Sequence, residues 1–267
     1  MASAETRQKI LDAAESLFTQ HGINGVSLRE IATKADIRIS NLQYHFKTRE
    51  DLYFAVFERR IMAINDDRLA RLDSIEQSSG YDYAHLEDVV RALVEPMVMR
   101  SGDVKSGGAN YATLLNQVTN EPADYARRIS REFFDPIARI TIKAFAKALP
   151  DLDMKSLPWI YIFAVGAMTA SISRTDRVKL LSDNACDPLD VARTVSLLVP
   201  FITGGMQAVD AAEKARSAAE SGPKPRAAKA KPKPAKSASA TSAPAGKRAV
   251  GSSRPPRSAT AKTARDS

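Results

Sequence analysis

The sequence predicts an all-α protein. Three observations carry this. Sustained apolar/polar alternation is nearly absent. Almost every segment up to residue 210 repeats its apolar residues at the helical period. The composition then breaks near Ala211 into a tail rich in Ala, Lys, Pro and Ser. The 267 residues, 44% of them apolar, suffice for a packed core in one large domain or two smaller ones.

The first segment carries Ile10, Leu11, Ala14, Leu17 and Phe18 on one face and stops at His21-Gly22, where glycine serves as the C-terminal cap. Ser27-Leu28-Arg29-Glu30 is a capping box: the serine hydroxyl takes a free helix N–H and the glutamate reaches back to another. It opens a short helix with Leu28, Ile31, Ala32 and Ala35 along one face. After a turn near Asp36 comes a second short helix, about residues 39–45. Thr48-Arg49-Glu50-Asp51 offers another box-like start, for a long helix with Leu52, Val56 and Phe57 inward that runs to about Gln77. Longer, more apolar helices are expected near 84–100, 108–120, 123–148, 156–174 and 188–208. Pro136 should kink or divide the third of these. Asp187-Pro188 reads as the start of the last, with an N-cap acceptor and proline in the first turn.

The charge is uneven. Twelve of the lysines and arginines lie between Gly222 and Ser267 with Asp266 as the only acid, so this tail carries +11 of a whole-chain +8 and the body is weakly acidic. The basic character therefore belongs to the tail. With almost no large apolar residue to offset its ordering entropy, the tail is expected to be disordered. Its cations would add salt-sensitive, sequence-independent attraction to phosphate.

Several function classes are disfavoured. Cys186 is the only cysteine, so no internal disulfide and no cysteine-based zinc site is expected. His21, His45 and His85 have no metal-ligand spacing, and no metal or cofactor is expected. There is no Gly-rich phosphate loop and no Gly-x-Ser-x-Gly elbow, and catalysis is not expected. No secretory signal is evident at the N-terminus. The apolar run from Leu157 to Ile172 is too short for a membrane span and reads as a buried core helix.

Residues 28–46 have the pattern of a helix-turn-helix. Ala32 is the small residue at the crossing, Asp36 stands at a turn that needs positive φ, and Ile37 and Leu42 anchor the second helix. Arg38, Ile39, Ser40, Asn41 and Gln43 should then face outward. A recognition helix presents such residues to base edges in the major groove. Arginine can pair bidentately with guanine, Asn and Gln with adenine, and Ile39 can touch a thymine methyl. Tyr44, His45 and Lys47 end the helix where phosphates usually lie, and Ser27 opens the preceding helix where a phosphate oxygen can be taken. Two ordinary short core helices would show similar spacing. The acid-free exposed face between Ile37 and Lys47 favours the nucleic-acid reading.

The run Leu28-Arg29-Glu30-Ile31-Ala32 through Ala35, followed by Leu42-Gln43-Tyr44-His45-Phe46-Lys47-Thr48-Arg49-Glu50-Asp51-Leu52, resembles the TetR family signature, and Phe18-Thr19-Gln20-His21-Gly22 resembles the end of that family's first helix. The match spans about residues 5–57. It implies a DNA-binding head over 1–50, an all-α ligand-binding and dimerisation domain over 51–210, and the tail over 211–267. It implies a cytoplasmic, nucleoid-associated transcriptional regulator, by family default a repressor. Such a protein binds a palindromic double-stranded DNA operator as a homodimer and is modulated by a small-molecule effector. By position, Ser27, Arg38, Asn41, Gln43, Tyr44 and Lys47 are its implied DNA contacts. The family's usual glycine at the turn is Asp36 here, its usual serine after the turn is Arg38, and the first tyrosine of its aromatic pair is Gln43, so the operator sequence does not carry over.

The last two helices resemble those with which family members pair to their symmetry mates. Among the middle helices, Met97, Tyr111, Leu115, Phe133, Phe134, Trp159 and Phe163 are candidates for a pocket, with core packing as the alternative for each. Asn110, Asn116 and Gln117 are candidate polar anchors or an exposed face. The default effector is hydrophobic or amphipathic.

Overall fold

In a computed structural model of the protein, residues 2–103, 107–119, 121–173 and 177–221 are described. Among them there are helices and no strands. The head consists of α1 (Ala2–His21), α2 (Leu28–Lys34) and α3 (Ile39–His45). Gly22 closes α1 at φ +68°, a left-handed position glycine occupies without a Cβ clash. Ile10, Leu11, Ala14 and Phe18 of α1 meet Ile31 and Ala32 of α2 and Leu42 of α3 in a fully buried core.

The connecting helix α4 (Arg49–Ser78) starts at Thr48, whose hydroxyl accepts the Asp51 N–H at 3.0 Å. The body follows with α5 (Leu86–Gly102), α6 (Gly108–Thr119), α7 (Asp124–Ile129), α8 (Asp135–Ala148), α9 (Leu157–Ile172), α10 (Arg177–Leu181) and α11 (Val191–Ser221). Helix α5 is central and packs on α4, α6, α8, α9 and α11. It is apolar on most sides for that reason, burying Val89, Val90, Leu93, Val94, Met97 and Val98.

The helix expected over 123–148, with a kink or division at Pro136, is divided there. Between α7 and α8, Ser130–Phe134 forms a π turn, and Pro136 sits in the first turn of α8. Proline has no N–H to donate and its ring crowds the carbonyl one turn back, so the helix widens just before it. Asn65 of α4 donates from Nδ2 to the Phe133 carbonyl at 2.8 Å and ties this irregular turn to the long helix.

Two expectations shift. The start of α11 is capped by Asp190, whose Oδ1 accepts the Arg193 N–H at 2.8 Å. Asp187 instead accepts the Leu189 N–H at 2.9 Å and closes a turn around Pro188. Helix α11 also continues past 208 to Ser221. There Glu213 accepts from the Ser156 hydroxyl at 2.6 Å and the Asp153 N–H at 3.0 Å, and Lys214 pairs with Asp210 and Asp151. By length and composition α11 could cross a membrane, but Val195, Leu198, Val199, Ile202 and Met206 are buried against the protein's own helices, as are Thr203 and Asp210. The tail expected to be disordered over 211–267 is therefore helical over 211–221, as the end of α11, and residues 222–267 lie outside the described residues.

Helix α9 is not the wholly buried core helix its composition suggests. It is apolar all round but buries only one side, through Leu157, Ile160, Tyr161, Ala164, Met168 and Ile172. Trp159 and Phe163 are each 65% exposed and Ile162 is exposed beside them.

Candidate nucleic-acid interface and helical cavity

The head is built by local chemistry. Ser27 Oγ accepts the Glu30 N–H at 3.3 Å, and Glu30 Oε2 accepts the Ser27 N–H at 2.7 Å, so the capping box is complete. The bonds from the Ser27 backbone and hydroxyl hold the Glu30 carboxyl below the usual carboxylate range. Asp36 takes φ +53°, the left-handed conformation its place in the turn requires. The Ile37 N–H then reaches the Ala32 carbonyl at 3.0 Å, which fixes the exit of the chain into α3.

Helix α3 is anchored from beneath by Leu42 and Phe46, both buried, and by half-buried Ile37. Arg7 of α1 lies 5.5 Å from the Phe46 ring and braces the same corner. The opposite face is open. Arg38, Ser40, Asn41, Gln43, Tyr44 and Lys47 are exposed, and Tyr44 reaches 78%. Ile39 is half-buried against the core and offers one edge outward. His45 is half-buried, with its ring edge-on to Tyr44 at 5.4 Å between centroids. Ser27 is exposed, but its hydroxyl is already bonded to Glu30 at 2.7 Å, so a phosphate there would compete with the cap. Lys34, exposed in the last turn of α2, adds a cation beside the turn that reasoning centred on α3 passed over.

The body holds a cavity of about 350 Å³ between α4, α5, α6, α8 and α9. Of the expected residues, Met97, Tyr111, Leu115 and Phe134 line it, together with Ile137, Ile142, Tyr161 and Val165. Phe133 does not. The π turn rotates it away, and it stacks on Phe54 at 4.7 Å. Trp159 and Phe163 also do not, because they stand on the outward side of α9. Asn116 bonds the Ala112 carbonyl of its own helix, and Gln117 reaches the Thr19 carbonyl of α1 at 3.5 Å. Neither is a cavity anchor.

The polar lining of the cavity includes Asp135, Ser130 and, most deeply buried, Arg68, which the sequence reasoning missed. It is only 4% exposed. A signal was present: Ile61, Ile64, Arg68 and Leu72 follow one another at helical spacing, so Arg68 falls in the buried stripe of α4.

A second missed feature joins head to body. Glu15 of α1 is buried and bonded by two arginines of α4: Arg59 through Nη2, and Arg60 through Nε at 2.9 Å and Nη2 at 2.7 Å. Beside it the rings of Phe18, Tyr53, Phe57 and Tyr111 follow one another at 5.0, 5.2 and 5.6 Å between centroids. Packed aromatic side chains thus lead from the first helix of the head to the cavity wall.

A three-helix head with an outward short helix, set on a helical body that encloses a cavity, defines a helix-turn-helix protein. Comparison with known proteins gives the family. The model described as "Bacterial regulatory proteins, tetR family" matches residues 10–56, and that described as "Tetracyclin repressor-like, C-terminal domain" matches residues 91–205. The chain belongs to the TetR family of bacterial transcriptional regulators, a family of regulators and not of enzymes.

The HTH-type transcriptional regulator AcrR of Shigella flexneri is 44% identical over 54 residues, 20% of this chain and 25% of its own length. The chain spans only about a quarter of the first curated relatives it matches. Among solved structures, the fatty acid degradation regulator FadR of Bacillus halodurans has a TM-score of 0.56 at 14% identity, covering 75% of this chain and 95% of its own. FadR of Bacillus subtilis in complex with stearoyl-CoA has a TM-score of 0.50 at 16% identity, covering 72% and 97%. At these identities the likeness is one of fold.

Proposed function

We propose that this chain is a ligand-responsive repressor that binds a palindromic double-stranded DNA operator as a homodimer and is released by a small, hydrophobic or amphipathic effector. The exposed, acid-free face of α3 carries the reading. Residues 1–50 are the DNA-binding head, 51–210 with the rest of α11 the effector-binding and dimerisation domain, and the protein works in the cytoplasm on the nucleoid. Genome-wide mapping of binding sites with purified protein tests this. A discrete inverted repeat near a small set of genes is expected, and uniform occupancy would reject it.

The contacts divide by role. Arg38, Asn41 and Gln43, with Ile39 and Ser40, face base edges. Tyr44, His45, Lys47 and the cap at Ser27 face phosphates. Replacing Tyr44 or Lys47 with alanine is expected to weaken binding to every sequence. Replacing Arg38, Asn41 or Gln43 is expected to relax base preference at single positions, by about 1–3 kcal/mol each. A selection over randomised duplexes separates the two behaviours, and identical profiles for all five would show the division to be wrong.

Dimerisation is assigned to α9 and α11. Their outward sides carry Trp159, Phe163, Leu197 and Phe201, with a groove of about 400 Å³ between Phe163, Ala164, Phe201 and Gly205. A contiguous apolar surface of this kind is costly to leave in water and marks an interface. The effector acts by population shift, favouring a state in which the heads no longer match two half-sites. The aromatic series from Tyr111 to Phe18 supplies a packed route for that coupling.

The basic tail is assigned to non-specific phosphate attraction. Sequence alone would place the cut at residue 212. The bonds of Glu213 and Lys214 show that removing 212–221 would also strip contacts from the body, so the deletion begins at Gly222. Removing residues 222–267 should weaken binding to random duplex and flatten its salt dependence while leaving dimerisation intact. Fluorescence anisotropy across a salt series reads this directly, and an unchanged slope would remove the assignment.

A further inference from the structure

We infer that the effector is a small carboxylate with an apolar chain, its anionic end held by Arg68 and Tyr111. The inference rests on the effector-responsive reading above and specifies its ligand. Arg68 borders the cavity and is almost wholly buried. Its Nε donates to the Leu93 carbonyl at 2.8 Å, Nη1 to Asn65 Oδ1 at 3.3 Å, and Nη2 to the Met168 sulfur at 3.6 Å. All three partners are neutral. Of the nearby acids, Asp67 and Glu95 both pair with Arg71, and Asp135 lines the same cavity without reaching salt-bridge distance of Arg68. Among the described residues no carboxylate lies within salt-bridge distance of Arg68. Burial lowers the Arg68 pKa, yet a guanidinium stays protonated in a protein, so a positive charge with no ion-pair partner among the described residues borders the cavity.

The second observation is independent. Tyr111 is 2% exposed, lines the same cavity, and its hydroxyl has no hydrogen-bond partner among the described residues. A buried hydroxyl left unsatisfied costs free energy that a ligand oxygen can recover. A carboxylate satisfies both groups at once, accepting from the guanidinium and from the phenol. The rest of the wall (Leu93, Met97, Leu115, Phe134, Ile137, Ile142) suits a hydrocarbon chain. Asp135 also lines the cavity and would repel an anion placed beside it. The volume lies at the small end of ligand pockets, which argues for a compact acid taken in whole.

Straight-chain carboxylates from hexanoate to dodecanoate, each matched with the alcohol and amine of equal length, test the inference by calorimetry on the full-length protein. The best carboxylate should bind at least ten times tighter than its alcohol, and the amine should not bind. Tyr111→Phe should reduce carboxylate affinity and leave alcohol affinity unchanged. Arg68→Met should remove the preference for acid over alcohol, and thermal unfolding of each variant shows whether it folds. Equal binding of acid and alcohol by the native protein, or undiminished acid binding by folded variants, would overturn the assignment. So would no binding by any carboxylate. If no acid binds but operator binding persists, the regulator stands and the ligand assignment falls. If an acid binds by these criteria without changing operator occupancy, the site stands and the effector mechanism falls.

Discussion

Changing Phe163 and Phe201 together to glutamate should convert the protein to a monomer and lower operator affinity by about 100-fold or more, because two linked heads share one effective concentration on the DNA and separate heads do not. Phe163 is 65% and Phe201 72% exposed, both line the groove between α9 and α11, and neither belongs to the monomer's buried core. In the proposed dimer the substitution therefore removes apolar contact and adds like charge between the two copies, without emptying a core site. Light scattering should show half the mass, while circular dichroism and the melting of a single chain stay helical and cooperative. A variant that remains dimeric would move the interface elsewhere.

Replacing Glu15 with alanine should have the largest effect on stability of any single charged residue in the head. Its carboxylate is buried between Arg59 and Arg60, whose side chains are only 17% and 26% exposed. Removal strips both arginines of the buried acid they share, although Arg59 keeps Asp12 at 2.6 Å; losing one member of a fully buried ion pair costs about 3–5 kcal/mol. Some water reaches both arginines, so the expected loss is near the low end, about 3 kcal/mol, with a fall of roughly 10 °C in melting temperature. Arg59→Ala should cost less, because Arg60 still neutralises Glu15 through two bonds. A melting curve unchanged by Glu15→Ala would show that the ion cluster does not hold α1 on α4.

The head was legible because its determinants are local. Ser27 with Glu30, Asp36 at positive φ, and Thr48 with Asp51 each act within four residues, and each stands in the structure as the sequence implies. The apolar anchors followed from the helical period, which places Leu42 beneath α3 and leaves Tyr44 outside.

The cavity was legible only in part, because its wall depends on which turns of distant helices meet. Helix α9 is apolar on every side, so nothing in its pattern says that Tyr161 and Val165 turn inward while Trp159 and Phe163 turn out. Adjacent Phe133 and Phe134 were sorted by a π turn, a geometry that Pro136 hints at but does not specify. Arg68 could have been found. A cation at a position where spacing demands an apolar side chain is a conflict between local pattern and global fold, and such conflicts concentrate at functional sites. The end of α11 was set by tertiary bonds to Ser156 and Asp151, which no local rule contains.

In the proposed complex α3 enters a DNA groove twice per symmetric pair. Hydroxyl-radical footprinting of the full-length protein on its mapped site tests this most directly. Two protected half-sites related by a two-fold axis are expected, with centres about one helical turn or a multiple of it apart. Adding the bound carboxylate should remove both together. Continuous protection without a dyad, or protection that survives Leu42-supported α3 losing Arg38, Asn41, Gln43, Tyr44 and Lys47 to alanine, would contradict it.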